Sequence, residues 1–274
     1  MEYYSPRGFK LLPPVVKNLL IINVLFFFAT VVLERTYGID LAKYLGLFFF
    51  KGENFHFYQY ITYMFMHGSF SHLFFNMFAL WMFGYTLENI WGSKRFLMFF
   101  LITGLGAALT HTIVQGIEYY SIQNAINQYA QNPDVDGFIA LITSKFNNYN
   151  PAVLEQFTNE WRMSSMQHSY AGQSLDLAQK LLVSTANIPT VGASGSVYGI
   201  LLAFGMMFPN ALIYIYFLFP VKVKWFVIAY GVIEIFSAIA YTNDGIAHFA
   251  HLGGMIFGFF LIRHWRKNSF TRWD

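Results

Sequence analysis

Long apolar runs separated by polar stretches dominate this chain, and those of membrane-spanning length lie at 15–33, 69–87, 96–116, 192–208, 225–241 and 248–264. A helix needs roughly 20 residues to cross a hydrocarbon core about 30 Å thick, so the pattern predicts six membrane-spanning helices. Several runs are nearer 17 residues than 20. Such short spans imply local bilayer thinning or helices that end within protein. The stretch Ala211 to Val221 is also apolar, but Pro220 and its shortness mark it as a connector or re-entrant piece. The expected fold class is all-α, a polytopic six-helix membrane bundle.

Two segments between the runs break the pattern. Residues 34–66 form a long first loop dense in aromatics (Phe48, Phe49, Phe50, Phe55, Phe57, Tyr58, Tyr60 and Tyr63), which is expected in the headgroup region. Residues 118–188 are rich in Asn, Gln, Ser and mixed charge. Their apolar positions recur at helical spacing (Phe138, Leu141, Ile142; Leu175, Leu177, Leu181, Leu182), which predicts a few amphipathic helices. The expected organisation is therefore spans one to three with the first loop over 1–117, an external insert over 118–188, spans four to six over 189–265, and a tail over 266–274.

Composition strengthens the membrane reading. Of 274 residues, 56% are hydrophobic and only 11% charged, against about a quarter charged in ordinary soluble domains. Six Trp, eighteen Tyr and thirty-two Phe suit lipid-facing surfaces and interfacial anchors. The absence of cysteine excludes disulfides, thiolate catalysis and cysteine-held metal or iron–sulfur sites. A net charge of +3 is too small and dispersed for nucleic acid, so no nucleic-acid partner is expected. Cations bear on orientation instead. One side of the bundle holds Arg7, Lys10, Lys17, Lys94, Arg95, Lys222, Lys224, Arg263, Arg266, Lys267 and Arg272; the other holds Arg35, Lys43, Lys51, Lys145, Arg162 and Lys180, mostly in long loops. The positive-inside rule places both termini in the cytoplasm. Met1 to Pro14 lack a short apolar core with a small-residue cleavage site, so no cleavable leader is expected. A compact six-span core of this kind points to a bacterial inner membrane.

Polar residues within hydrocarbon are costly and tend to be functional. Ser194 lies between Gly192 and Gly195, where small residues would also serve close helix packing. The soluble-hydrolase elbow Gly-x-Ser-x-Gly does not apply, because Ser196 holds its last position. Downstream, His248 and His251 share roughly one helical face, and Gly254 and Gly258 follow in a Gly-x-x-x-Gly spacing. A serine hydroxyl is a weak nucleophile without an adjacent base, and a neutral imidazole can take its proton. His72 and Asn76 stand four apart on one face and could donate to an oxyanion; they could equally stitch helices together. His67, His72, His248 and His251 raise a zinc reading, but there is no His-Glu-x-x-His and no carboxylate at ligand spacing from them. No metal and no cofactor are expected.

Together these residues resemble the rhomboid family of intramembrane serine proteases. The likeness covers about residues 55–264 outside the insert. It rests on His72-x-x-x-Asn76, Gly192-Ala193-Ser194-Gly195, Tyr198 and His251-x-x-Gly254-x-x-x-Gly258, in that order along the chain. It implies a Ser–His dyad without an acidic third member, acting on transmembrane protein substrates in a lipid bilayer. Ser194 would be the nucleophile and His251 the general base and then acid, preferred over His248 because it opens the Gly-x-x-x-Gly run. Tyr198 would stack on His251, and His72, Asn76 and the Ser194 N–H would form the oxyanion hole. The chain departs from the family pattern at Tyr58-Gln59, where many members carry Trp-Arg, and in its long insert. The rival reading is a non-proteolytic rhomboid-like protein that binds transmembrane helices. Such proteins typically lack the serine or the histidine, and this chain has both. A histidine-lined transporter fits less well, since the two halves show no inverted hydropathy symmetry.

Overall fold

The computed structural model describes residues 10–146, 149–215, 218–240 and 247–268. Arg7 and Arg272, used above for orientation, and positions 269–274 of the expected tail lie outside the described residues. The helices are α1 (Pro14–Tyr37), α2 (Ala42–Leu45), α3 (Gln59–Thr62), α4 (Phe70–Trp91), α5 (Ser93–Tyr129), α6 (Val135–Lys145), α7 (Pro151–Met163), α8 (Gln167–Ala186), α9 (Ser194–Met207), α10 (Val223–Ala240) and α11 (His248–Asn268), with a 3₁₀ turn over Tyr63–Phe65. Helix occupies each of the six apolar runs. Of the described helices, α1, α5 and α10 are long and apolar enough to cross a membrane, and α9 is a shorter apolar helix.

The chain divides into two compact units. The first comprises Met1–Leu47, Phe57–His111 and Pro189–Asp274. At its centre α9 packs against α4, α10 and α11. Gly195, Val197, Gly199, Ile200, Leu201 and Ala203 of α9 are all buried, as suits a helix apolar all round. By contrast α1 exposes Ile21, Leu25, Phe28 and Val32, and α10 exposes Ile228, Val232, Ile235 and Ile239. Apolar faces this extensive are suited to lipid rather than water.

Pro14 opens α1 at a position where its missing N–H costs nothing, and Gly38 closes it in the left-handed region at φ 67°. The first turn of α1 has no local side-chain cap. Its donors are met from elsewhere in this unit. Glu88, near the end of α4 and 2% exposed, accepts from the N–H groups of Val15 and Val16 at 2.9 and 2.7 Å. It also accepts from the Ser93 hydroxyl at 2.6 Å.

The fold is mostly helical, and between α9 and α10, where a connector or re-entrant piece was expected, β1 (Leu212–Ile215) and β2 (Phe219–Lys222) pair antiparallel. Leu-Ile-Tyr-Ile opposite Phe-Pro-Val-Lys is rich in β-branched and aromatic residues, and Pro220 is tolerated because both strands of a two-stranded ribbon are edges. Burial varies along the aromatic first loop. Phe57 is 83% exposed, but Leu47, Phe48 and Phe49 are buried.

The second unit comprises Phe48–His56 and Thr112–Ile188. The expected boundary at 117/118 falls inside α5, which runs on to Tyr129 because Ile122, Ile126 and Tyr129 carry an apolar stripe that packs in this unit's core. Phe138, Leu141, Ile142, Trp161 and Leu182 complete that core, while Leu177 stays exposed. The Phe49 ring packs on Tyr119 with centroids 5.4 Å apart. Asp134 and Asn150 cap α6 and α7, each accepting from a first-turn N–H.

Removing the Glu88 carboxylate strands the buried Val16 N–H and the part-buried Val15 N–H. Glu88→Ala should destabilise the protein by about 1–3 kcal/mol, read from unfolding in detergent, and Glu88→Gln by less.

Candidate active site

Construction begins at the glycine before α9. Gly192 has φ 129°, which side chains rarely adopt, and a Cβ there would stand 2.7 Å from His72 Cε1 and 2.8 Å from Nε2. Only glycine lets the chain bend here while the His72 ring lies against it. The Gly192 N–H donates to the Tyr63 carbonyl at 2.9 Å, and the Tyr63 hydroxyl donates to the Gly104 carbonyl at 2.7 Å. Burial pushes the Tyr63 phenol well above its ordinary range, so it remains a donor. Ser194 then opens α9, where its backbone N–H has no intrahelical partner.

Helix α11 approaches α9 without intervening side chains. A Cβ on Gly254 would overlap the Gly195 carbonyl, and one on Gly258 would stand 3.4 Å from Gly199 Cα. Gly199 is equally constrained, since a Cβ there would lie 3.0 Å from the Gly254 carbonyl. This approach sets His251 Nε2 2.8 Å from Ser194 Oγ. The Tyr198 ring, one turn after the serine, lies parallel to the His251 imidazole with centroids 4.2 Å apart and 8° between planes. Ser196 takes another direction: its hydroxyl donates to the Phe100 carbonyl on α5 at 2.8 Å.

Helix α4 carries His72, whose ring lies against Gly192. Ser69 caps it by accepting from the His72 N–H at 3.1 Å, which fixes His72 in the first turn. Asn76 follows one turn later and is buried. His67, just before α4, packs edge-on to His72 with ring centroids 5.0 Å apart. Burial, with His72 as the second cause, holds its imidazole down at about 4, so it stays neutral.

One residue of the cluster escaped the motif reading. Glu234 on α10 is 5% exposed and meets both histidines of α11. Its Oε2 lies 2.7 Å from His248 Nδ1 and 3.0 Å from His251 Nδ1. The second approach is short but off the line of an N–H···O bond, so it is a close polar contact rather than an aligned hydrogen bond. The Tyr198 hydroxyl donates to Oε1 of the same carboxylate. No carboxylate stands at ligand spacing along the chain, and this acid comes instead from a neighbouring helix, 14 residues before His248. Glu234, His248 and His251 offer ligand atoms within 4.8 Å of one another. A signal was present in the chain: an acid in the interior of an apolar run is an intramembrane ionisable group and a functional candidate by default.

The arrangement offers a hydroxyl in contact with an imidazole, a further histidine against the glycine two residues before the serine, and a helix N-terminus at the serine itself. That is the equipment for nucleophilic attack on a carbonyl with stabilisation of the resulting oxyanion. Comparison with protein-family models matches the Rhomboid domain over residues 54–122 and 162–267. The unmatched 123–161 fall in the second unit. No curated protein matches the chain.

The glycine contact is testable by itself. Gly254→Ala should destabilise the protein by about 1–3 kcal/mol through overpacking against Gly195, measured by unfolding in detergent. Gly172→Ala, where a Cβ would meet nothing within 4 Å, should change stability by no more than about 1 kcal/mol, in the stabilising direction.

Proposed function

This chain belongs to the rhomboid family, and from that premise we propose that it is an intramembrane serine endopeptidase hydrolysing peptide bonds in or next to transmembrane segments of membrane proteins. It is an integral membrane protein, and its family includes intramembrane proteases that act on transmembrane substrates in a bilayer. The observation that carries the proposal is the 2.8 Å separation of Ser194 Oγ and His251 Nε2.

In the proposed mechanism a substrate helix unwinds locally, because helical carbonyls are hydrogen-bonded and shielded, and presents a peptide carbonyl to Ser194. Oγ attacks the carbonyl carbon while its proton passes to His251 Nε2. The developing oxyanion is held by His72, Asn76 and the Ser194 N–H. His251 then protonates the leaving amine, and water hydrolyses the acyl-enzyme by the same route in reverse. Tyr198 keeps the imidazole plane in place. Gly192, Gly195, Gly254 and Gly258 allow the approach that makes the contact. No metal and no cofactor take part.

The six apolar helices cross the bilayer in this reading, with both termini cytoplasmic and 118–188 as an external insert between spans three and four. The core is 1–117 with 189–265, followed by a cytoplasmic tail at 266–274, in a bacterial inner membrane. The 14 residues of α9 reach only about 21 Å, less than the roughly 30 Å of hydrocarbon, which supports a serine placed below the membrane surface.

A fluorophosphonate probe should label the wild-type protein and not Ser194→Ala. His72→Ala or Asn76→Ala should lower cleavage of a transmembrane substrate by roughly 10²–10³-fold. Equal cleavage by wild type and Ser194→Ala would refute the proposal, and absence of labelling in the folded protein would favour a helix-binding role.

Orientation can be read independently, because the chain has no cysteine of its own. In intact cells a membrane-impermeant maleimide should label Ser165→Cys, in the insert, and reach Lys94→Cys only after lysis. The reverse pattern would overturn the orientation.

A further inference from the structure

A buried carboxylate in an apolar helix is costly unless donors replace its water. Glu234 is met by the Tyr198 hydroxyl on Oε1, by His248 Nδ1 on Oε2 at 2.7 Å, and by His251 Nδ1 on the same Oε2 at 3.0 Å. All three come from the helices that carry the serine and the histidine, and a dyad mechanism has no use for the acid. We propose that Glu234 is a positioning residue that converts the Ser194–His251 pair into a Ser–His–Glu triad by keeping the His251 proton on Nδ1. The proposal rests on the reading of Ser194 and His251 as nucleophile and base.

The argument concerns tautomers. A neutral imidazole carries one ring proton, and the hydrogen bond made by one nitrogen decides the state of the other. The Nδ1 edge of His251 faces Glu234 Oε2, and an ionised carboxylate can only accept. The proton is thereby held at Nδ1, and the Nε2 lone pair points to Ser194 Oγ. The contact is off line in the resting protein, as catalytic hydrogen bonds often are before substrate tightens them. His248 occupies the better aligned approach to Oε2, and Tyr198 anchors Oε1, so the carboxylate is fixed from two sides. Separations of 2.7 and 3.0 Å suit N–H···O contacts. Ligands about 2.1 Å from a tetrahedral zinc would stand wider, at roughly 3.4 Å from one another.

The proton count balances without transfer to the acid. As Oγ bonds to the carbonyl carbon, the O–H bond breaks, Nε2–H forms, and the carbonyl π pair moves to oxygen. His251 becomes a cation protonated at both nitrogens, with its positive charge facing the Glu234 carboxylate through Nδ1–H. When the intermediate collapses, Nε2–H passes to the leaving nitrogen and the imidazole returns to its starting tautomer. Glu234 stays ionised throughout.

The test uses the full chain in proteoliposomes, with kcat and KM for a transmembrane peptide substrate measured for wild type, Ser194→Ala, Glu234→Gln and Glu234→Asp. Glutamine keeps the size of the side chain and can still accept from Tyr198, but it loses the charge. It should lower kcat by roughly 10²–10⁴-fold with KM unchanged, as removal of a triad acid does through the wrong tautomer, and aspartate should restore part of the loss. In ¹⁵N-histidine-labelled wild-type protein, with the His251 signals identified by their loss in His251→Gln, the proton should reside on Nδ1. Wild-type kcat in Glu234→Gln, a defect confined to KM, or a wild-type His251 protonated on Nε2 would each overturn the triad. The wild-type tautomer decides the matter even if Glu234→Gln fails to fold. Activity retained by Ser194→Ala would instead refute the serine-protease reading itself.

Discussion

The backbone contact between α9 and α11 is the constraint on which the candidate site depends. Hydrophobic burial does not drive helices together within lipid, so close van der Waals approach must do so, and glycine permits it. At Gly254 no room remains for a side chain against the Gly195 carbonyl, and Gly199 and Gly258 extend the contact by a turn. The serine–histidine separation and the parallel stack of Tyr198 on His251 both follow from that spacing. A helix pair held apart by even one methyl group would carry the same residues without the same geometry.

Buried acids do a second kind of work in this unit. Glu88 closes the first turn of α1 from the end of α4, and Glu234 on α10 gathers donors from α9 and α11. Each carboxylate would be destabilising alone and is tolerated because other helices supply its donors. Each therefore joins helices that apolar contact alone would leave free to slide. The two differ in what they meet: backbone N–H groups and the Ser93 hydroxyl at Glu88, and titratable side chains at Glu234, which is why only the second belongs to the candidate site.

The second unit is held by capped helices around an apolar core of its own. Its helices start at Asp134 and Asn150 caps, its core is a compact set of Phe, Ile, Leu and Trp, and its ion pairs, Arg162–Asp136 and Lys180–Asp176, lie on exposed surface. Exposed pairs of this sort contribute little to stability, so the apolar core is what holds the unit together. The polar composition of 118–188 and the burial of Phe138, Leu141 and Ile142 express the same fact, that this segment makes its own interior.

What the chain determines by itself is whatever depends on local pattern. Apolar runs mark the helices because hydropathy is summed along the chain, and glycine spacing marks where a backbone can approach. Ser194, His251, His72 and Asn76 were legible as candidates because each sits in a short motif, whereas Tyr198 entered only through the family resemblance. Tertiary structure decided what depends on neighbours distant in sequence. The β1–β2 pairing and the burial of Phe48 and Phe49 turn on contacts that periodicity does not encode. The same holds for Glu234. The linear chain shows an acid placed in an apolar run, but only the packing of α10 against α9 and α11 brings its carboxylate to the far edge of the imidazole that meets the serine.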